Sequence, residues 1–344
     1  MNQILKTKNF NIGEANPAYI IAEIGSNHNG SFDLACELIE KAKVAGANAV
    51  KFQTFKAEHH YSKNTPKISL YEEDIYGLIE SLEIDRSWHI KLSKLCQNLG
   101  MDFMDSPCDF EAIELANSVD MDILKVASFD MVDVRLVRKI AQTGRGVMLS
   151  TGMANLAEIQ NAINICQSEN NHNLVLLQCT SLYPAPAKLT NLNAMKTLRQ
   201  AFGCIVGYSD HTLGDHIACA AVANGAKVIE KHYTFDKKAK GPDHQFAIEP
   251  NDLKDMISKI REIEYALGDG IKNGPREEEL EMYNKARRSI LANKDLAKGD
   301  VITEDSLVIK RPGLGISPLF FENLIGMKLN RDIKKDEPIN WNKF

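Results

Sequence analysis

Short apolar runs recur through the first part of the chain and alternate with stretches of helical period. Eight runs have the length and composition of buried strands, and they cover residues 19–23, 49–53, 102–105, 123–126, 147–150, 174–179, 205–208 and 227–231. Several are continuously apolar, which is typical of parallel strands covered by helices on one face and by a packed interior on the other. The alternation of strands and helices predicts βα units and a parallel sheet.

The stretches between these runs carry apolar residues at helical spacing. In one of them the stripe contains Leu34, Leu38, Ile39 and Ala42. Ser31 is placed to cap the start of this helix, and Gly46 to end it. Eight strands with intervening helices fit a (β/α)8 barrel better than an open doubly wound sheet, whose G-x-G-x-x-G fingerprint is absent. The sequence therefore predicts an α/β fold, with a TIM barrel over residues 1–270.

The composition changes after the barrel. Residues 271–288 are charged and punctuated by glycine, which predicts a linker with a short helix at 277–285. Residues 289–344 contain short apolar pieces separated by turn sequences, which predicts a small β-rich module. A module of this size is marginal alone, so we expect it to dock on another surface.

Composition and charge narrow the function classes. The 344 residues are 44% hydrophobic and 25% charged, with a net charge of −5, so we expect neither nucleic-acid nor membrane binding. The seven cysteines are scattered and never form C-x-x-C, which is typical of reduced thiols in a cytoplasmic protein. We find neither a signal-peptide pattern nor an apolar run of about 18 residues, the length that spans a bilayer.

The carboxyl ends of the predicted strands carry polar side chains, and in a barrel these ends form the mouth of the active site. This ring contains Glu23, Asn27, His28, Lys51, Gln53, Ser106, Lys125, Ser128, Ser150, Cys179, Ser181, Ser209, Asp210, His211, Lys231 and His232. Lysines from three strands suit a bound phosphate or carboxylate. Glu23 is either a helix cap or, if buried beside lysines, a carboxylate base.

Two histidines follow consecutive strands and form the candidate metal site. Either His211 or His232 alone would more often be a hydrogen-bonded structural residue. Together, with the acidic G-P-D segment that contains Asp243, they favour a divalent ion such as Mn²⁺ or Mg²⁺. We interpret His59, His60, His89 and His172 as surface residues.

A series of short motifs resembles the sialic acid synthase family, which includes N-acetylneuraminate, legionaminate and pseudaminate synthases. The motifs are A-E-I-G-S-N-H-N-G at 22–30, K-F-Q-T at 51–54, L-S-T-G-M at 149–153, C-T-S-L-Y-P at 179–184, G-Y-S-D-H-T at 207–212, I-E-K-H-Y-T at 229–234, G-P-D-H at 241–244 and K-R-P-G at 310–313. The resemblance implies a barrel joined to an antifreeze-like (SAF) domain in a domain-swapped homodimer. It also implies metal-dependent condensation of phosphoenolpyruvate with an N-acylated aminohexose.

The same resemblance implies roles for individual residues. Those expected to hold phosphoenolpyruvate are Lys51, Lys125, Ser128, Ser150, Ser181 and Ser209. Those expected on the sugar side are Gln53, Asp130, Tyr183, Asp243 and, from the partner's C-terminal domain, Arg311. His211 and His232 would bind the metal, with Mn²⁺ favoured, and Glu23 would act on the attacking water. Asp243 is thereby assigned to the sugar rather than to the metal.

The sequence departs from the family pattern on the acceptor side. Ser128-Phe129-Asp130 stands where neuraminate and legionaminate synthases typically have S-G-E, and this resembles pseudaminate synthases. The G-Y-S-D-H-T and G-P-D-H motifs instead resemble the neuraminate and legionaminate branch. Cys108 ends a D-S-P-C segment where the family usually has S-T-P-F. Shortening a glutamate to an aspartate changes which sugar hydroxyl a carboxylate reaches, so the acceptor stays open.

Two other functions remain as alternatives. One is condensation of phosphoenolpyruvate with a phosphorylated aldose, as in octulosonate phosphate synthases, and comparison of free with phosphorylated acceptors separates it. The other is a non-catalytic carbohydrate-binding protein, which would bind sugar tightly without releasing phosphate.

Overall fold

The computed structural model describes residues 1–67 and 74–344. These residues form two compact units, Met1–Gly268 and Asp269–Phe344. The strands of the first unit are β1 (Ile4–Lys6), β2 (Asn11–Gly13), β3 (Tyr19–Gly25), β4 (Ala49–Thr54), β5 (Asp102–Pro107), β6 (Ile123–Val126), β7 (Gly146–Ser150), β8 (Leu174–Cys179), β9 (Ile205–Asp210) and β10 (Val228–His232). Strands β3 to β10 are parallel and form a closed barrel in chain order, in which β10 pairs with β3. The predicted (β/α)8 barrel is confirmed.

Helices follow the barrel strands and cover their outer face. They are α1 (Phe32–Ala45), α2 (Ala57–His60), α3 (Ile75–Ser81), α4 (His89–Leu99), α5 (Phe110–Ser118), α6 (Val134–Gln142), α7 (Leu156–Ser168), α8 (Ala194–Phe202), α9 (His216–Ala223) and α10 (Pro250–Leu267). The predicted boundaries of α1 are confirmed, because the Ser31 side chain accepts a hydrogen bond from the Leu34 amide and Gly46 ends the helix at a φ of 96°. In the described ranges no helix is long and apolar enough to cross a membrane.

The period-two alternation of each strand separates two apolar layers. The interior layer consists of Tyr19, Ile21, Ala49, Met104, Ile123, Met148, Val175, Leu177, Ile205 and Val228, with Leu5 and Ile12 from the β1–β2 hairpin. The sequence analysis missed this hairpin, whose strands have three residues each and pack only Leu5 and Ile12 into the barrel interior. The intervening strand residues, such as Val50 and Phe52, pack against the helices.

The second unit has a small core of its own. Its elements are α11 (Leu280–Ala286), β11 (Ser289–Ala292), β12 (Leu307–Lys310) and α12 (Phe321–Leu324), and β11 pairs antiparallel with β12. The core contains Ile290, Ile302, Leu324, Ile333 and Ile339. The short helix predicted at 277–285 is present as a 3₁₀ turn, Glu277–Glu279, followed by α11. All seven cysteines are unpaired, in agreement with the predicted reduced state.

The helix-facing side of the barrel contains buried polar pairs that correct three sequence predictions. Lys231 and Asp210 were expected in the ring at the mouth, but both face the helices. Lys231 Nζ lies 2.7 Å from Asp210 Oδ2 and 2.6 Å from the Thr212 carbonyl. His89 was interpreted as a surface residue, but it is fully buried, and its Nε2 lies 2.9 Å from Thr54 Oγ1 and 3.0 Å from Asp105 Oδ2. These side chains anchor strand ends to the helix layer.

The Lys231–Asp210 pair gives a test of this assignment. Replacing Lys231 with Met leaves a buried carboxylate without its cation, so we expect the free energy of unfolding to fall by about 3 to 5 kcal/mol, measured by urea denaturation. The control is Lys259→Met, which removes an exposed ion pair with Asp215 and should lower the free energy of unfolding far less than Lys231→Met does. Unchanged stability of Lys231→Met would contradict the structural role.

Candidate active site

A layer of polar side chains lies above the apolar interior, at the carboxyl ends of the barrel strands. It follows from strand parity, since a residue two positions beyond an inward apolar side chain also points inward. Ile21 is thus followed by Glu23, Ala49 by Lys51, and Val228 by Glu230 and His232. The inward residues of this layer are Glu23, Lys51, Ser106, Lys125, Ser150, Cys179, Ser209 and Glu230, all of them buried.

Four of these residues form a chain of alternating charges. Lys51 Nζ lies 2.7 Å from Glu23 Oε2 and 3.9 Å from Glu230 Oε1. Lys125 Nζ lies 3.8 Å from the same Glu230 oxygen. Ser209 donates to Glu230 at 3.3 Å, and Lys51 donates to Ser106 at 3.2 Å. The two ammonium groups therefore lie close to carboxylates, but of their three contacts with carboxylates only the one between Lys51 and Glu23 is short.

Burial and charge shift the pKa values of this chain in different directions. Burial raises the pKa of Glu23 to about 7 against the opposing effect of Lys51, and the charge of Glu230 adds to the rise. Burial lowers the pKa of Lys125. The pKa of Lys51 is raised, because its two glutamates outweigh the cost of burial. The pKa of Glu230 is lowered, because Lys125 and Lys51 outweigh that cost.

The sequence analysis missed Glu230. It named Lys231 from the I-E-K-H segment, although His232 and Glu230 are two positions apart and share a face of β10. Parity counted from His232 would have placed Glu230 in the mouth and Lys231 against the helices.

Three serine hydroxyls converge near the S-T-G-M turn. The Gly152 amide donates to Ser128 Oγ at 3.1 Å. A Cβ at Gly152 would lie 2.3 Å from Ser181 Oγ and 2.8 Å from Ser128 Oγ, so only glycine allows this approach. Within residues 1–67 and 74–344, the hydroxyls of Ser150 and Ser181 have no hydrogen-bond partner. Ser150 lines the same cavity as Lys51 and Lys125, and a free hydroxyl beside two lysines suits an anion.

His211 and His232 lie side by side at the ends of β9 and β10, with ring centroids 5.4 Å apart. Nδ1 of His211 lies 2.8 Å from the Thr180 carbonyl and donates to it, which leaves Nε2 as the lone-pair nitrogen. Nδ1 of His232 is buried without a hydrogen bond in the described part of the chain and lies 3.6 Å from Asp243 Oδ2. This donor set of two imidazole nitrogens and a nearby carboxylate fits a divalent metal ion.

The remaining barrel residues predicted for the sugar line an adjoining cavity that also reaches His232. Gln53, Asp130, Tyr183 and Asp243 are all on its wall. Gln53 donates to Glu23 Oε1 at 2.6 Å, and burial raises the pKa of Asp243 to about 6. The structure therefore brings the predicted sugar-side residues of the barrel next to the charged chain.

One wall of this cavity is apolar, a feature that the sequence analysis did not anticipate. Helix α3 and the residue after it supply Ile75, Leu78, Ile79 and Leu82 at helical spacing, and Phe55 continues the wall. Leu78, Ile79 and Leu82 are only half-buried. The cavity thus has a polar side on the strands and an apolar side on α3.

Arg311 lies in the second unit, immediately after β12. Its side chain is exposed, and its Nε donates to the Ala286 carbonyl at 2.5 Å. The predicted contact of Arg311 with a partner's sugar site stays a prediction.

Sequence comparison identifies the two parts of the chain. Residues 38–272 match the model of the NeuB family, and residues 287–344 match that of the SAF domain. The chain belongs to the NeuB family. It is an enzyme of this synthase type, with a C-terminal SAF domain, as the motif resemblance indicated.

Named relatives cover almost the whole chain. An N,N'-diacetyllegionaminic acid synthase of Campylobacter jejuni is 42% identical over 93% of this chain and 98% of its own length. A pseudaminic acid synthase of Helicobacter pylori is 35% identical over 94% of this chain and 97% of its own. The crystal structure of an N-acetylneuraminic acid synthetase from Leptospira borgpetersenii, 34% identical, has a TM-score of 0.75 and covers 81% of this chain and 94% of its own. NeuB relatives with three different acid products thus resemble this chain to a similar degree.

Proposed function

We propose that this NeuB-family enzyme condenses phosphoenolpyruvate with an N-acylated aminohexose to a nonulosonic acid. The observation that carries the proposal is the buried Glu23–Lys51–Glu230–Lys125 chain beside two histidines at the mouth of the barrel. In the reaction C3 of phosphoenolpyruvate forms a bond with the sugar aldehyde carbon. Water adds to C2, the C2–O bond to phosphate breaks, and inorganic phosphate leaves.

The lysines and serines suit phosphoenolpyruvate because it carries a phosphate and a carboxylate close together. Lys51 and Lys125 supply two buried cations 3.9 Å and 3.8 Å from a shared glutamate oxygen. Ser128, Ser150, Ser181 and Ser209 would supply hydroxyl donors. Charge-assisted hydrogen bonds of this kind are the strongest that a protein can offer such a ligand.

Glu23 would act as the base for the attacking water. With a pKa of about 7, the Glu23 carboxyl group can both accept and release a proton near neutral pH. Lys51 and Gln53 hold its two oxygens, at 2.7 Å and 2.6 Å, which fixes the orientation of the carboxyl group.

His211 and His232 would hold a divalent metal ion, with Mn²⁺ favoured over Mg²⁺ because both protein ligands are imidazoles. Such an ion supplies Lewis acidity that polarises the sugar aldehyde. The Thr180 carbonyl accepts the Nδ1 proton of His211, so Nε2 of the neutral ring would be the metal ligand, and Tyr183 and Phe246 pack against the rings of His211 and His232.

For the acceptor we propose a 2,4-diacetamido-2,4,6-trideoxyhexose rather than N-acetylmannosamine. Such a sugar presents three methyl groups, whereas N-acetylmannosamine presents one. The apolar side of the cavity on α3 gives these methyls a surface to bury. The name of the Campylobacter relative, which specifies two acetyl groups, supports the same choice.

We further propose that the enzyme acts as a homodimer in which Arg311 of one copy contacts the acyl group of the sugar bound by the other. The exposed guanidinium at the edge of the SAF domain supports this role. It also gives a reason to retain a domain with so small a core.

The acceptor class is tested by phosphate release with Mn²⁺, phosphoenolpyruvate and a panel of free and phosphorylated sugars. We expect kcat/KM for the diacetamido trideoxyhexose to exceed that for N-acetylmannosamine by at least about 10-fold, the usual worth of a methyl group in an apolar pocket. Leu78→Asn should reduce this preference, while Ser81→Asn, on the exposed side of the same helix, should keep it. Release only with phosphorylated sugars would favour the octulosonate type of reaction, and silence across the panel would refute the proposal.

Metal binding is measured directly by titration of Mn²⁺ into the full-length protein. His232→Ala should lower the affinity by at least about 100-fold and abolish turnover, because one of two imidazole ligands is lost. His172→Ala, an exposed histidine, is the control. Undiminished Mn²⁺ affinity in His232→Ala would remove the histidine pair from the metal site.

The Glu23 assignment predicts a pH dependence. Because the base must be deprotonated, kcat/KM should fall about 10-fold per pH unit below about pH 7, the pKa of Glu23 in the free enzyme. Glu23→Gln should lower the rate by about 100-fold or more without this acid limb. A flat profile between pH 5 and pH 7 for the wild-type protein, with its fold intact by circular dichroism, would contradict the role.

A further inference from the structure

Three potential metal ligands of different chemistry, other than the histidine pair, lie close together in the acceptor cavity, which is the cavity lined by Gln53, Tyr183 and Asp243. They are His60 at the end of α2, Cys108 after β5 and Asp130 after β6. One ligand atom from each lies within 4.8 Å of the other two. All three residues line the acceptor cavity and are half-buried, so the space between them opens to a ligand from solution.

The spacing between the thiol and the carboxylate matches that of a zinc site. Zinc bonds of about 2.0 to 2.3 Å in tetrahedral geometry place neighbouring ligand atoms about 3.3 to 3.6 Å apart. Cys108 Sγ already lies 3.6 Å from Asp130 Oδ2. A small movement of the His60 ring would complete three ligands, with the fourth position open to the cavity as in zinc sites that keep a water.

Aromatic contacts orient the His60 ring, and burial acts on the Cys108 thiol. The His60 ring stacks on Phe55, with centroids 5.7 Å apart and planes 12° apart, and meets Tyr61 edge-on at 5.0 Å. Burial raises the pKa of the Cys108 thiol, and the adjacent charge of Asp130 raises it further. The protonated thiol donates to Asp130 Oδ2 in the absence of metal, and binding of a dication would release the thiol proton and replace this hydrogen bond with two metal–ligand bonds.

We propose that His60, Cys108 and Asp130 bind Zn²⁺, and that this ion competes with the acceptor sugar. The set contains a thiol and an imidazole, which select zinc over Mn²⁺ or Mg²⁺. Competition follows because Asp130 is both a metal ligand and a predicted sugar contact. Cys108 stands where the family pattern has phenylalanine, so this site belongs to this chain rather than to the family's metal centre.

Metal binding by these three residues is tested first, and this test does not depend on an assay of activity. Co²⁺ is titrated into the full-length protein that has been saturated with Mn²⁺, and thiolate-to-cobalt charge-transfer absorption is recorded. We expect the band in wild type and in Cys36→Ser, a control thiol on α1, and its loss in Cys108→Ser. Zinc calorimetry should show at least about 100-fold weaker binding at this site in Cys108→Ser. A band that persists in Cys108→Ser, or is absent from wild type, would overturn the site.

The competitive effect rests on the proposed function and is tested separately. With an accepted sugar, Zn²⁺ should raise the apparent KM for the sugar without lowering kcat, and the ratio of rates with and without Zn²⁺ should approach one in Cys108→Ser. Equal inhibition of wild type and Cys108→Ser would place the inhibition elsewhere and overturn the competition. If the cobalt band appears but no sugar releases phosphate, the zinc site stands and the proposed function fails.

Discussion

The buried chain Glu23–Lys51–Glu230–Lys125 sets the main electrostatic constraint on this protein. Two carboxylates and two ammonium groups lie inside a closed barrel, where isolated charges would be prohibitively unfavourable. Their pairing balances the charge before any ligand arrives. A phosphoenolpyruvate that enters this balanced site brings negative charge that must be compensated. Under the proposed function a dication on the two histidines supplies the compensation and leaves Glu23 free to stay deprotonated as the base, which couples donor, metal and base electrostatically.

The alternation of strand residues lets the same strands satisfy this constraint and remain stable. Ser209, Glu230 and His232 face the interior, while their neighbours Asp210 and Lys231 pair on the helix side at 2.7 Å. Asp105, next to the inward Ser106, contacts the buried His89 in the same way. On β5, β9 and β10 an inward polar side chain thus neighbours a residue that fixes the strand end against the helix layer. A shift of one residue in register would exchange the inward and outward sets, so the register of the barrel determines which side chains form the site.

The same alternation explains what the sequence could and could not predict. The eight barrel strands were predictable because buried parallel strands are nearly continuous apolar runs, and the polar mouth followed from where those runs end. Glu230 was missed and Lys231 was misplaced because composition at a strand end does not say which face each residue takes. His89 was assigned to the surface because its partners, Thr54 and Asp105, are distant in sequence. The apolar wall of the cavity comes from α3, a short helix in the long connection between β4 and α4. Since α3 does not directly follow a strand, the strand pattern did not indicate that it lies at the mouth of the barrel.

Under the proposed function, the donor side and the acceptor side of the site are built differently. Four of the six residues proposed for the donor lie on barrel strands, and Ser128 and Ser181 follow strand ends within two residues. Among the barrel residues proposed for the acceptor side, Gln53 lies on a strand and the others lie on loops, and it is there, at Cys108 and Asp130, that the sequence departs from the family motifs. Loops can change without disturbing the barrel, so specificity can vary while the chemistry stays. If the acceptor and the zinc site are as proposed, a cavity wall that selects the methyl groups of its sugar is, for the same reason, free to acquire a thiol, and with it sensitivity to a second metal ion.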